Sequence, residues 1–92
     1  SMLTEEFLEP MGISPYRLAK ETGLSRTLIS EIIAGTRSIT ANTAIRFSAF
    51  FGNSPEFWLN LQNHLDMRKV RQEMGEEISR IRRWDTVPQR RA

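Results

Sequence analysis

Residues Ser14–Gly35, SPYRLAKETGLSRTLISEIIAG, decide the fold. Ser14 stands where a helix cap belongs, followed by Pro15 at the first helical position, where the missing N–H costs nothing. Gly23 ends that helix as a residue able to turn left-handed, and Ser25 caps the next, which runs to Gly35. Leu18, Ile29, Ile32 and Ile33 recur on one face of each helix, with Leu24 at the turn and Ala19 small where the two must approach closely. The stretch predicts two short helices locked together across a tight turn.

The same punctuation extends outward. Thr4 is expected to cap a first helix with Glu5 and Glu6 in its first turn, where carboxylates favour the positive end of the dipole, and Pro10 and Gly12 to close it. Thr40 opens a fourth helix, ANTAIRFSAFF, ended by Gly52; Ser54-Pro55 opens a fifth through PEFWLNLQNHLDMRKV. No run of alternating β-branched residues predicts a strand. The expected fold is therefore all-α: five helices, with EEISRIRRW after Gly75 as a further helical turn and WDTVPQRRA beyond it frayed. A helix-turn-helix domain over residues 3–72 and a C-terminal extension over 73–92 are the expected divisions. Ser1, preceding Met2 like a residue left by tag cleavage, is set aside.

A generic pair of packed helices fits the apolar pattern alone. The opposite face of the third helix points to DNA. Arg26, Thr27, Ser30, Glu31 and Ala34 are short or hydrogen-bonding side chains on a slim helix able to enter a major groove about 12 Å wide. Arg26 lies near the helix N-terminus, where recognition helices meet base edges, and an Arg there can pair bidentately with guanine. Thr27, Ser30 and Glu31 complete the candidate base-reading set. Glu31 has two readings, an acceptor for cytosine N4 or a solvated helix face. Ser14 and Thr40 start helices on either side, and their N-termini are candidate phosphate clamps as well as ordinary caps. Arg37, in the following loop, is a further phosphate or base candidate, and Tyr16 and Arg17 are either backbone contacts or merely exposed.

Composition bounds the remaining possibilities. Ninety-two residues with a net charge of +2 suit one small domain. The charge is unevenly spread: residues 1–67 sum to −2 and residues 68–92 to +4. Bulk positive charge thus does not support the helix-turn-helix, and DNA binding must rest on locally placed Arg residues and helix N-termini. No cysteine and one histidine, His64, exclude a thiolate metal site and a disulfide framework. No cofactor is implied. With no Cys, one His and no clustered carboxylates of evident purpose, an enzyme is not expected. No secretory leader and no membrane-long apolar run are present, so a cytoplasmic protein is the expectation.

From Leu3 to about Gln62 the chain resembles the HigA antitoxin family, also labelled VapI-type, within the phage-repressor-like helix-turn-helix class. EFLEPMGIS, ISEIIAG, SITANTAIR and above all GNSPEFWLNLQ carry the resemblance. It implies a dimeric five-helix domain that binds the operator of its own operon and neutralises a RelE-like ribonuclease toxin, HigB. It places base reading at Arg26, Thr27, Ser30 and Glu31, with Ser14, Thr40 and Arg37 on the backbone. Thr22 departs from the pattern, which has an apolar residue there, and is expected to weaken packing slightly.

A second surface follows. Phe57, Trp58, Leu61 and Leu65 lie at helical spacing and, with Phe47, Phe50 and Phe51, predict an aromatic core. Met67, Val70, Met74, Ile78 and Ile81 then continue at spacings of three, four, four and three, a stripe too long for a small globule to cover. It is a candidate homodimer contact or toxin groove. Two recognition helices about 34 Å apart would read a palindrome, which favours a homodimer. A stand-alone repressor without a toxin is the alternative function, and a protein-interaction module that no longer touches DNA is a further one.

Overall fold

The computed structural model describes residues 1–86 and is helical throughout, with no strand among the described residues. Helix α1 winds as a π-helix over Thr4–Leu8 and as an α-helix over Glu9–Met11. It is followed by α2 (Pro15–Thr22), α3 (Arg26–Ala34), α4 (Ala41–Phe51), α5 (Pro55–Glu73) and α6 (Gly75–Ser79). Two compact units result, Ser1–Gln62 and Asn63–Ala92.

In the first unit, helix starts follow the Ser/Thr signals from α2 onward. Ser14 accepts the Arg17 N–H at 3.1 Å, Ser25 that of Leu28 at 3.0 Å, Thr40 that of Thr43 at 3.5 Å, and Ser54 that of Phe57 at 3.2 Å. Each accepts a donor that the first turn leaves without an intrahelical partner. The first helix departs from expectation. Thr4 does not cap it, because Leu3 is already helical at φ −56°, ψ −49°. Ser1 takes that part, its Oγ accepting the Thr4 N–H at 3.3 Å and its carbonyl the Glu5 N–H at 2.9 Å. Pro10 does not close the helix either; it lies within it, and Gly12 alone ends it. A proline has no N–H for the carbonyl four residues back and crowds it, and the wider π winding just ahead accommodates that mismatch.

Leu3, Leu8, Leu18, Ala19, Ile29, Ile32, Ile39, Ala44, Phe47 and Trp58 form the buried core. Trp58 is fully buried and ringed by Phe7, Phe47, Phe51 and Phe57 at centroid distances of 4.8, 5.1, 5.4 and 5.1 Å. Two of these contacts, with Phe47 and Phe57, are edge-on at 75° and 87°, the arrangement that ring quadrupoles favour. The indole N–H, which must find a partner once buried, donates to Asn53 Oδ1 at 2.9 Å. GNSPEFWLNLQ is thus a structural motif: Ser54 caps, Asn53 satisfies Trp58, Trp58 fills the core, and Gln62 Oε1 accepts the Ile39 N–H at 2.9 Å.

Thr22, where the pattern has an apolar residue, leaves no unpaired polar group in the core. It is buried, and its hydroxyl donates back to the Leu18 carbonyl at 2.6 Å, so the polar group enters the core already paired.

In the second unit, the helix breaks at Met74, whose φ of −121° and ψ of 22° separate α5 from α6. Residues 84–86 form a turn in which the Thr86 N–H and hydroxyl both donate to the Arg83 carbonyl, at 3.0 and 2.9 Å. Residues 87–92, the remainder of the segment WDTVPQRRA expected to fray, lie outside the described residues.

Candidate nucleic-acid interface

Helix α3 is held by its apolar face and presents the other. Ile29 and Ile32 are buried, while Arg26, Thr27, Ser30, Glu31, Ala34 and Thr36 line one shallow, open surface. The four residues expected on base edges are therefore brought together on a single solvent-facing strip. Their side chains are short apart from Arg26 and Glu31, which keeps the helix slim.

Four of the expected contact residues are joined in two pairs. The Arg26 guanidinium lies 5.1 Å from the ring centroid of Tyr16, a cation–π contact that joins the start of α2 to the start of α3. Arg37 Nε donates to Glu31 Oε2 at 3.1 Å, joining the loop to the strip. The Glu31 carboxylate is thus not simply solvated.

Ser14 and Thr40 are both engaged as caps, and both are exposed. Pro15 has no N–H, so the first turn of α2 offers an anion fewer donors than that of α4. Arg17 is exposed on the first turn of α2 beside Tyr16.

Arg46 carries a further part of this architecture that the sequence reading did not single out. From α4 its Nη1 donates to the Thr22 carbonyl at 2.8 Å, and its Nε to Asn42 Oδ1 at 2.9 Å. It thereby satisfies the carbonyl end of α2 at the turn into α3, where a cation also suits the helix dipole. The Asn42–Arg46 spacing of four was visible in the sequence; the reach to Thr22 was not. Gln62 likewise pins Ile39 in the loop after α3, and nothing in its neighbourhood announced that partner.

On the second unit, Met67, Val70 and Ile78 with Asp66 and Arg71 line an open apolar depression. Met67, Val70, Met74, Ile78 and Ile81 are all exposed, as an unpartnered stripe requires. Ile81 lies past the end of α6, so the stripe is not carried by one continuous helix. His64 is exposed. Among the described residues there is no group of three His, Cys, Asp or Glu side chains able to hold a metal ion, and no helix long and apolar enough to cross a membrane.

The comparisons with known proteins agree with this geometry. Residues 5–58 match the helix-turn-helix family model. Antitoxin HigA-1 of Vibrio cholerae is 43% identical over 81 residues, covering 88% of this chain and 76% of that protein. The structure of Pseudomonas aeruginosa antitoxin HigA with the higBA promoter superposes with a TM-score of 0.84 at 32% identity, covering 90% of this chain and 91% of that one. Antitoxin GraA in complex with its operator gives a TM-score of 0.80 at 36% identity, covering 89% and 84%. The fold, the recognition-helix arrangement and these likenesses together place the chain in the HigA family of helix-turn-helix antitoxins.

Proposed function

We propose that this chain binds the operator of its own operon as a homodimer and neutralises a HigB-like, RelE-type ribonuclease toxin by direct binding in the cytoplasm. The observation that carries the operator part is the open strip on α3, with Arg26 at its N-terminal end and Thr27 and Ser30 beside it. In this reading α3 enters the major groove, Arg26 pairs with a guanine, and Thr27 and Ser30 contact adjacent base edges. Ser14, Tyr16, Arg17, Arg37 and Thr40 lie along the flanking DNA backbone, which fixes register without reading sequence. The solved HigA and GraA structures, which contain promoter and operator DNA, support this reading.

The apolar stripe of the second unit serves the homodimer or the toxin. Doubling the recognition helix compensates for the low net charge of each protomer, since two linked half-sites bind with an avidity that neither reaches alone.

The test is a titration of the duplex upstream of the chain's own gene against an unrelated duplex at fixed salt, with co-purification of the protein encoded beside it. Selective binding to the upstream duplex and capture of a small neighbour that is toxic alone are expected. Equal affinity for both duplexes would contradict the operator reading. A neighbour that neither binds nor is toxic would leave a stand-alone repressor.

A further inference from the structure

Glu31 places a negative charge on the strip proposed to enter the groove, where phosphate oxyanions make a bare carboxylate unfavourable. Its Oε2 is engaged by Arg37 Nε at 3.1 Å. That contact uses one edge of the guanidinium, and among the described residues Arg37 has no other hydrogen-bond partner. Its planar fork can therefore accept an anion at the Nη edge while Nε stays on the carboxylate.

The loop that carries Arg37 is fixed at both ends. Thr36 donates its N–H to the Glu31 carbonyl at 2.9 Å and its hydroxyl to the same oxygen at 3.3 Å. Past Arg37, Ile39 is buried and its N–H is held by Gln62 Oε1 at 2.9 Å. The remaining freedom lies in the long Arg37 side chain, and Glu31 restricts it before any ligand arrives. Ordering a rotamer-rich side chain beforehand removes part of the entropy loss on binding.

We infer that Glu31 is a positioning residue: it holds Arg37 ready for a backbone phosphate of the operator, and its carboxylate does not read a base. This rests on the operator reading above.

The test is a double-mutant cycle of wild type, Glu31→Gln, Arg37→Gln and the pair, titrated with the duplex upstream of the chain's own gene. Salt concentration and single base pairs are varied in parallel. Both side chains are on the surface, so neither change threatens the fold. Arg37→Gln is expected to weaken binding to all duplexes alike by about five- to tenfold and to lower the salt slope by about one. Glu31→Gln is expected to weaken binding by about two- to fivefold, with base preferences unchanged, and to weaken it no further in the Arg37→Gln background.

Tighter or unchanged binding of Glu31→Gln overturns the inference, because the carboxylate then only repels or does nothing. So does a relaxed preference at one base pair that persists without Arg37. Wild-type protein with no preference for the upstream duplex overturns the operator reading and this inference with it; the other adverse results leave that reading standing.

Discussion

Arg46 of α4 donates from Nη1 to the carbonyl of Thr22 at 2.8 Å, tying the end of the helix before the turn to the helix that follows the recognition element. The same guanidinium holds Asn42 through Nε at 2.9 Å, so one side chain braces α2 from a fixed point on α4. Replacing it by Met keeps the apolar stem and removes both bonds. Arg46→Met is expected to lower stability by about 1–2 kcal/mol, read as a shift of the urea midpoint at unchanged slope. A midpoint within error of wild type would mean that solvent serves the Thr22 carbonyl equally well.

Gly23 answers two demands at once. Its φ is +71°, and a Cβ there would stand 3.0 Å from Arg46 Nη1. Gly52 has a similar φ of +79° with open space around it. Gly52→Ala is expected to lose about 1–2 kcal/mol for the left-handed backbone alone, and Gly23→Ala measurably more. Thermal unfolding of the two variants compares them directly. Equal losses would show that the Arg46 side chain yields at no cost.

Tyr16 lies under the Arg26 guanidinium at 5.1 Å. If that stacking prepares Arg26 for the groove, Tyr16→Leu should weaken operator binding by about 0.5–1 kcal/mol while leaving base preference unaltered. Fluorescence anisotropy with labelled operator measures this. A larger loss confined to one base pair would instead make Tyr16 itself a base contact.

Val70 and Ile78 line the apolar depression of the second unit, and Val70 is 44% exposed. With the stripe as the homodimer contact, wild type sediments as a dimer at tens of micromolar and Val70→Asp as a monomer, since an unpaired carboxylate cannot be buried there. A wild-type monomer under those conditions contradicts the dimer. A Val70→Asp dimer moves the stripe to the toxin.

Much of this organisation is legible in local sequence, for a physical reason: a cap is satisfied within three residues. Ser14, Ser25, Thr40 and Ser54 each bond the N–H three positions on, so spacing alone locates four helix starts. The aromatic core follows from helical spacing for Phe47 and Trp58, with Phe50, Phe51 and Leu61 packed against them, whereas Leu65 and Phe57, expected with them, are 44% and 37% exposed. The start of α1 is ambiguous in sequence because Ser1 and Thr4 carry the same capping chemistry, and it is Ser1 that accepts the Thr4 N–H. Long-range polar bonds were invisible. Arg46 to Thr22 and Gln62 to Ile39 join residues more than twenty positions apart, and before folding such side chains look like any solvated polar group. Arg37 and Glu31 were each noticed as DNA candidates, but their pairing depends on how the loop turns after α3. On the second unit the period of the stripe is readable in sequence, and the helix breaks at Met74, just ahead of Gly75.

The central claim is that α3 reads a base through Arg26. Its most direct test is a gel-shift titration of Arg26→Ala against the operator and a panel of single-base-pair variants at constant salt. The account predicts a loss of about 1–3 kcal/mol on the operator, with discrimination relaxed at one base pair and retained elsewhere. Affinity and specificity equal to wild type across the panel would contradict it.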